Sequence, residues 1–270
     1  MVKLAITVAV AYALVVLVAW LIQERLAFPA PRAPVPDPRA AGVARGERIE
    51  LLLDDHTRLA GWFVPPVAPP AGGRGPGLVW CYGNGENIAA IAPVLRDFAP
   101  PQAALLVLDY PGYGGSAGRA TEAGLYATAE AAYQTLAARP GVDPARVYVY
   151  GRSIGSAAAV RLASRHPMAG LVLDSPFTSA WDMSRAHYAI LPRFILRLSL
   201  DNVRAIAAVP CPALVFHGTA DRLAPVEMGR RLAAAAPGGA ELVLIEGAGH
   251  NETYARGGRS YRDRLWRFIK

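Results

Sequence analysis

The stretch Val147-Tyr-Val-Tyr-Gly151-Arg152-Ser153-Ile154-Gly155-Ser156 leads from an apolar run through G-x-S-x-G into an alanine-rich segment. A strand that turns sharply into a helix is the setting in which a nucleophilic serine is held in a strained backbone conformation. Gly151 and Gly155 lack Cβ atoms, so the strand and the helix can approach closely around Ser153. The helix N-terminus favours negative charge that develops there. The alternative interpretation is an ordinary strand–helix loop that happens to contain serine.

A base and an acid follow later in the chain, each in a loop after an apolar run. A serine hydroxyl is a poor nucleophile without such a base. We predict that His250 takes the proton from Ser153 and returns it to the leaving group, and that Asp221 holds the imidazole tautomer. The chain order Ser, Asp, His is one of those in which such triads occur. Asp174, which ends another apolar run, is the alternative acid, and His217 is interpreted as a hydrogen-bonded structural residue.

Two N–H groups are needed to stabilise an oxyanion beside the serine. The backbone N–H of Ile154, directly after the predicted nucleophile, is the first candidate. The second is expected from the loop of residues 83–87, Gly-Asn-Gly-Glu-Asn, where Asn84 is our choice and Gly85 the alternative. A plain turn rich in glycine and asparagine would explain the same loop without a function.

Short apolar runs alternate with helical stretches along residues 46–270. The predicted strands are Arg48–Leu53, Leu59–Val64, Leu78–Tyr82, Ala104–Asp109, Val147–Tyr150, Leu171–Asp174, Ala213–His217 and Leu242–Glu246. The predicted helices span 87–98, 122–138, 154–165, 226–236 and 252–269, with Thr121 as the N-cap of the second. The first two strands form a hairpin, and the other six are continuously apolar, as expected for parallel strands covered on both faces. The sequence therefore predicts an α/β fold with an eight-stranded, mostly parallel sheet flanked by helices.

The N-terminal segment carries an uncharged run from Leu4 to Ile22. Nineteen helical residues at about 1.5 Å each approach the thickness of a bilayer core. We predict a transmembrane anchor over residues 1–25, with a cleaved signal peptide and a buried core helix as alternatives. Residues 26–45 are predicted to be a proline-rich linker that spaces the domain of residues 46–270 from the membrane. A second Pro/Gly cluster at 65–77 is interpreted as a loop.

The net charge and the cysteine content indicate which partners and cofactors to expect. The chain has 270 residues and a net charge of +7, spread mainly over arginines without an aromatic-interleaved basic motif, so we expect no nucleic-acid partner. Cys81 and Cys211 are interpreted as buried thiols, and no Cys/His cluster suggests a metal. We expect no cofactor and no metal, and the oligomeric state stays open.

Five ordered motifs together resemble a family, the membrane-anchored α/β-hydrolase-domain serine hydrolases of the HGNxxN, GRSxG and GHNxT type, related to S33 serine aminopeptidases. The motifs here are Tyr82-Gly-Asn-Gly-Glu-Asn87, Asp109-Tyr-Pro-Gly-Tyr-Gly-Gly-Ser116, Gly151-Arg-Ser-Ile-Gly155, His217-Gly-Thr-Ala-Asp221 and Gly249-His-Asn-Glu-Thr253. The resemblance implies an α/β-hydrolase fold and cleavage of ester or thioester bonds in acyl substrates, including lipid-like ones. Some relatives are peptidases, which keeps amide cleavage as an alternative, and a non-catalytic binding protein is a third. Tyr82 departs from the pattern, because the family usually has histidine there.

Residues 177–209 form an insert between the predicted strands that end at Asp174 and begin at Ala213. Its run from Ala189 to Leu200 is apolar with two arginines. We expect either a small lid over the cleft or a segment that dips into lipid headgroups, and a helix packed on the sheet edge is the alternative.

Overall fold

Strands and helices alternate along the chain from residue 47 onward. The computed structural model describes residues 1–68 and 72–270. In these residues the strands are β1 (Glu47–Leu52), β2 (Arg58–Val64), β3 (Gly75–Cys81), β4 (Ala104–Leu108), β5 (Val142–Arg152), β6 (Gly170–Asp174), β7 (Ala213–Gly218) and β8 (Ala240–Ile245). The helices are α1 (Val2–Ala27), α2 (Ile88–Phe98), α3 (Glu122–Ala137), α4 (Gly155–Ala163), α5 (Ala180–His187), α6 (Asn202–Ile206), α7 (Val226–Ala235) and α8 (Thr253–Phe268).

The eight strands form one sheet in the order β1-β2-β4-β3-β5-β6-β7-β8. β2 pairs antiparallel with β1 and β4, and every pair from β4 to β8 is parallel. All residues of β3, β4, β6 and β7 are buried, because helices cover both faces of their apolar runs. This confirms the predicted α/β fold with an eight-stranded, mostly parallel sheet.

The register brings the ends of the parallel strands to one edge. Cys81 at the end of β3 pairs with Gly151, and Arg152 at the end of β5 pairs with Asp174. Asp174 pairs in turn with Phe216 of β7. The loops that follow these strands therefore leave the sheet side by side, and this edge is where ligands bind in open α/β sheets.

Some element bounds differ from the sequence prediction. β5 begins at Val142 rather than Val147, and β3 begins at Gly75, inside the predicted Pro/Gly loop of residues 65–77. Residues 69–71 of that loop lie outside the described part of the chain. The insert contributes α5 and α6, two short helices that the sequence analysis did not predict. Thr121 caps α3 as expected, since its side chain accepts from the N–H of Gly124 at 3.0 Å.

α1 is a helix of 26 residues with none buried, and its most apolar window has a mean hydropathy of 2.6. Its length and composition suffice to cross a bilayer. The helix is thus a candidate membrane span, and a signal sequence passes the same test.

The proline-rich stretch after α1, which the sequence predicts to be a linker, packs on the domain. Phe28 and Val43 are buried and belong to the hydrophobic core. The carbonyl of Pro36 accepts from the indole N–H of Trp62 at 3.2 Å, and that of Pro31 accepts from the N–H of Gly114 at 2.9 Å. A proline residue has no backbone N–H to donate, but its carbonyl can accept a hydrogen bond. The proline-rich stretch therefore contacts the domain through its carbonyls and through buried apolar side chains.

Candidate active site

Ser153 lies on the turn between β5 and α4 with φ at +49°. This left-handed conformation is uncommon for a residue other than glycine and is strained. The N–H of Ser153 donates to the carbonyl of Asp174 at 2.9 Å, which helps to hold the turn. A Cβ at Gly151 would lie 2.5 Å from the carbonyl oxygen of Gly155, and one at Gly155 would lie 2.3 Å from that of Cys81. Close packing thus requires both glycines and presents the serine at the tip of the turn.

The imidazole of His250 connects Ser153 to Asp221. Its Nε2 lies 2.9 Å from Oγ of Ser153, and its Nδ1 lies 2.8 Å from Oδ2 of Asp221. An ionised carboxylate only accepts hydrogen bonds, so the Nδ1 atom carries the proton and Nε2 is left to accept from the serine hydroxyl. The structure therefore brings the three predicted side chains into one hydrogen-bonded chain, in the direction that proton transfer from Ser153 requires.

The carboxylate of Asp221 is fixed from several sides. Its Oδ1 accepts from the N–H groups of Leu223 and Ala224, at 2.9 Å and 2.8 Å. Nε2 of His217 lies 2.8 Å from the carbonyl of Ala224 and 3.4 Å from Oδ2 of Asp221, so this ring nitrogen faces both acceptors. Burial opposes ionisation of Asp221, but hydrogen bonds from His217, His250 and the backbone outweigh it and hold the pKa of Asp221 well below its ordinary value. The group is thus an anion that can stabilise an imidazolium.

Asp174, the alternative acid, faces a different set of partners. It is fully buried at the end of β6, and its Oδ2 accepts from the hydroxyls of Tyr150, Thr253 and Tyr261 at 3.0–3.1 Å. Its side chain joins β5, β6 and the beginning of α8. The contact to the His250 ring comes from Asp221, whereas the carboxylate of Asp174 accepts hydrogen bonds from this cluster of hydroxyls.

The predicted oxyanion donors lie on the loops that flank the serine. Ile154 is buried and stands directly before α4. Asn84 is exposed on the loop after β3, and its Oδ1 accepts from the hydroxyl of Tyr113 at 2.9 Å. The N–H of Gly83 donates to Oε2 of Glu86 at 2.6 Å, which closes this loop on itself. The side-chain oxygen of Asn84 is therefore engaged by the hydroxyl of Tyr113.

A buried arginine, which the sequence analysis did not single out, joins the loops of the site. The side chain of Arg152 is 4% exposed and donates to Oε1 of Glu86 at 2.6 Å. Its other amino group donates to the carbonyl of His250 at 3.1 Å and to Oδ1 of Asn251 at 2.7 Å. Nε of Arg152 lies 3.9 Å from Asp174. Arg152 therefore links the serine turn, the loop of residues 83–87 and the histidine loop, and its place inside G-x-S-x-G was the available signal.

In residues 1–68 and 72–270, no group of three or more His, Cys, Asp or Glu side chains is arranged to hold a metal ion.

Comparison with known proteins defines the class. The profile of the α/β-hydrolase fold family matches residues 76–194. The chain is 37% identical to the uncharacterized protein Rv2307c of Mycobacterium tuberculosis over 94% of its length and 90% of that protein. It is 36% identical to human alpha/beta hydrolase domain-containing protein 17B over 60% of this chain and 54% of the other.

The solved structures agree on the fold. The esterase Pf2001 of Pyrococcus furiosus superposes with a TM-score of 0.71 at 20% identity, and the match covers 89% of this chain and 95% of that one. An identity this low is evidence for the architecture alone. The fold, the serine turn and the sequence relatives together assign the chain to the α/β-hydrolases. It belongs to the α/β-hydrolase fold family.

Proposed function

We propose that this protein is a membrane-anchored serine hydrolase that cleaves carboxylic ester or thioester bonds of acyl substrates through Ser153, His250 and Asp221. The observation that carries the proposal is the hydrogen-bonded chain from Oγ of Ser153 through the imidazole to Asp221, with distances of 2.9 Å and 2.8 Å. A chance arrangement would not also place the serine on a strained turn at the ligand-binding edge of the sheet.

In the acylation step, Oγ of Ser153 forms a bond to the carbonyl carbon of the substrate while its proton passes to Nε2 of His250. The carbonyl oxygen takes up the negative charge, and the backbone N–H groups of Ile154 and Asn84 donate to it. Collapse of this intermediate breaks the bond to the leaving group, which receives the proton from His250. The products are an acyl-serine and a free alcohol or thiol.

In the deacylation step, water attacks the acyl-serine and gives a proton to Nε2 of His250. Oγ of Ser153 then leaves and takes that proton back, which releases the carboxylic acid and restores the site. Asp221 stays ionised throughout, as its lowered pKa favours, and stabilises the imidazolium in both steps.

The anchor assigned to α1 favours acyl substrates that reside in or near a membrane. The helix exposes its full apolar length, and a bilayer is the environment that suits such a surface. A lipid or a lipid-modified molecule would then reach the enzyme by diffusion in the plane of the membrane, with its acyl chain already at the membrane interface.

A fluorophosphonate probe tests the proposal. Wild-type protein should be labelled, while a folded Ser153→Ala variant should not, because the probe reacts with an activated serine. Folded wild-type protein without labelling would favour a non-catalytic binding protein.

Substrate class is tested separately on the same protein. Turnover of p-nitrophenyl esters should exceed turnover of aminoacyl amides, because p-nitrophenolate is a weakly basic anion that leaves readily, whereas an amide nitrogen must be protonated before it can leave. A clear preference for the amides would reverse the proposal in favour of a peptidase of the same fold.

A further inference from the structure

Part of the insert, residues 188–195, lies along α1 and is hydrogen-bonded to it. The hydroxyl of Tyr12 donates to the carbonyl of Ile190 at 2.9 Å. The side-chain amide of Gln23 donates to the carbonyl of Ile195 at 3.0 Å and accepts from the N–H of Arg197 at 2.7 Å. Two polar side chains of an otherwise apolar helix thus bind the backbone of the insert, and the two segments run side by side.

This insert segment exposes large apolar side chains. Tyr188, Ile190 and Phe194 are 52%, 68% and 86% exposed, beside a helix that exposes its own apolar residues over its whole length. The two surfaces are continuous because the segment is hydrogen-bonded to α1. Contiguous apolar patches of this kind mark interaction sites. The adjoining helix identifies the partner as a lipid bilayer, because the bilayer that surrounds α1 would also contact the segment.

The depth of the segment follows from the helix geometry. Gln23 comes eleven positions after Tyr12, which corresponds to about 16 Å along α1. Gln23, Glu24 and Arg25 end the uncharged run and belong at the headgroup level, so Tyr12 lies near the middle of a core about 30 Å thick. Because Tyr12 reaches Ile190 with its side chain, this part of the insert lies below the headgroups.

A segment at that depth must have its backbone polar groups satisfied by the protein. The side chains of Tyr12 and Gln23 satisfy the carbonyls of Ile190 and Ile195. Turns within the segment satisfy others, such as the N–H of Leu191, which donates to the carbonyl of Tyr188 at 2.9 Å.

Two arginines border the apolar surface where phosphates of lipid headgroups would lie. A third, Arg193, lies inside the segment and places its guanidinium 5.6 Å from the ring centre of Trp181. The guanidinium of Arg197 lies 4.9 Å from the ring centre of Trp20 and donates to the carbonyl of that residue at 3.2 Å. Arg119, on the loop after β4, pairs with Glu24 at 2.6 Å. Long cationic side chains beside an interfacial tryptophan match the headgroup layer.

We infer that the surface of Tyr188, Ile190 and Phe194 sits in the acyl-chain region of the bilayer that α1 spans, so that the active site opens toward lipid. This rests on the anchor in the proposed function. A direct connection to the catalytic acid supports it: Nε2 of His187 lies 2.7 Å from the carbonyl of Leu223, whose N–H donates to Asp221. An acyl chain that enters from the membrane therefore arrives beside the loop that carries the acid.

Fluorescent labels test the inference on the full-length protein in phosphatidylcholine–phosphatidylglycerol vesicles. The variants Phe194→Cys, Gln134→Cys and Val8→Cys each receive an NBD label, and Cys81 and Cys211 are buried in the native fold. Emission at 194 and at 8 should be blue-shifted and quenched several-fold more by lipids with a doxyl group on the acyl chain than emission at 134. The label at 134, on the exposed side of α3, should instead be quenched by iodide in the water.

The outcomes separate the inference from the proposals on which it rests. Lipid quenching at 8 together with iodide quenching at 194 would leave the anchor intact and overturn the inference. Iodide quenching at both positions would remove the anchor and, with it, this inference. Fluorophosphonate labelling reports on Ser153 independently of either result.

Turnover supplies a second readout with a matched control. Phe194→Glu places a charge in the proposed lipid contact, while Leu52→Glu places one on an apolar side chain that is 65% exposed on β1. The ratio of turnover for a vesicle-borne long-chain ester to that for a water-soluble ester should fall several-fold in Phe194→Glu alone. Equal ratios in the two variants would contradict the inference.

Discussion

Replacing Asp221 with asparagine removes the charge of the proposed catalytic acid while keeping its shape. The aspartate uses Oδ1 for the N–H groups of Leu223 and Ala224, and Oδ2 for Nδ1 of His250. An asparagine amide has one oxygen and one NH2 group. Since the two backbone donors require the oxygen, the NH2 group would face Nδ1 of His250.

The imidazole tautomer would then be reversed. Nδ1 would accept from the amide, and the proton would sit on Nε2, which lies 2.9 Å from Oγ of Ser153 and could no longer take up the serine proton. In another Ser-His-Asp triad, the same change lowers kcat by about 10⁴-fold through this loss of the correct tautomer. We expect a fall of about 10⁴-fold in kcat for Asp221→Asn, which corresponds to about 5.5 kcal/mol in the barrier.

The assay is the kcat for a water-soluble p-nitrophenyl ester, normalised to the folded fraction. Asp174→Asn is the matched control, because that carboxylate binds the hydroxyls of Tyr150, Thr253 and Tyr261. It should lower stability and leave kcat within about tenfold of wild type, since its partners lie outside the Ser153–His250 contact. A nearly normal kcat for Asp221→Asn would refute the tautomer argument, and a large loss in the control alone would move the role to Asp174.

Three further predictions concern pH, positioning and helix capping. The folded-state pKa of Asp221 is lowered, so the contribution of this carboxylate to stability is complete above its ordinary pKa of about 3.8 and is lost as the pH falls toward the folded value. The free energy of unfolding in urea should therefore decline from pH 5 to pH 3. An equal decline in Asp221→Asn would contradict this prediction. In Arg152→Lys, one ammonium group cannot hold both Glu86 and the His250 loop. We expect kcat to fall by up to about 10²-fold while KM changes little, as for misplaced catalytic groups. An unchanged kcat would show that the arginine is not a positioning residue. Thr121→Ala removes the N-cap of α3 and should lower the free energy of unfolding by about 1 kcal/mol in urea, with kcat per folded molecule unchanged.

The parallel centre of the sheet could be predicted because its strands are short, continuous apolar runs. β4 and β6 are buried at every residue and match their predicted runs to within one residue. The start of β5 could not be predicted in the same way, because Val142-Asp-Pro-Ala-Arg146 carries no apolar period. Its first residue nevertheless pairs with Gly75, across an irregularity in the register. Tertiary pairing, rather than local preference, sets that boundary.

The positions of the proposed catalytic side chains could be predicted from the chain because each lies in the loop that follows a strand. Parallel strands end at a common edge, so Ser153, Asp221 and His250 were expected near one another before any distance was known. The pair of Arg152 with Glu86 could not be predicted in this way, although Arg152 lies inside G-x-S-x-G, because its formation depends on the direction in which two side chains face. Short motifs therefore indicate which groups react, while the side chains that hold the loops in place emerge only from the packing.

Tyr82 illustrates how a departure from a family pattern can preserve a structural role. The tyrosine stands where the family usually has histidine, directly before Gly83, and its hydroxyl donates to Oδ1 of Asp109 at 3.0 Å. The same carboxylate accepts from the N–H of Ile88 at 2.9 Å and from that of Gly115 at 3.0 Å. Burial raises the pKa of Asp109, while these donors act in the opposite direction. The end of β3, the start of α2 and the loop after β4 are thereby held at one buried carboxyl group. The phenol hydroxyl of Tyr82 thus supplies the donor that ties the start of the loop carrying Asn84 to that group.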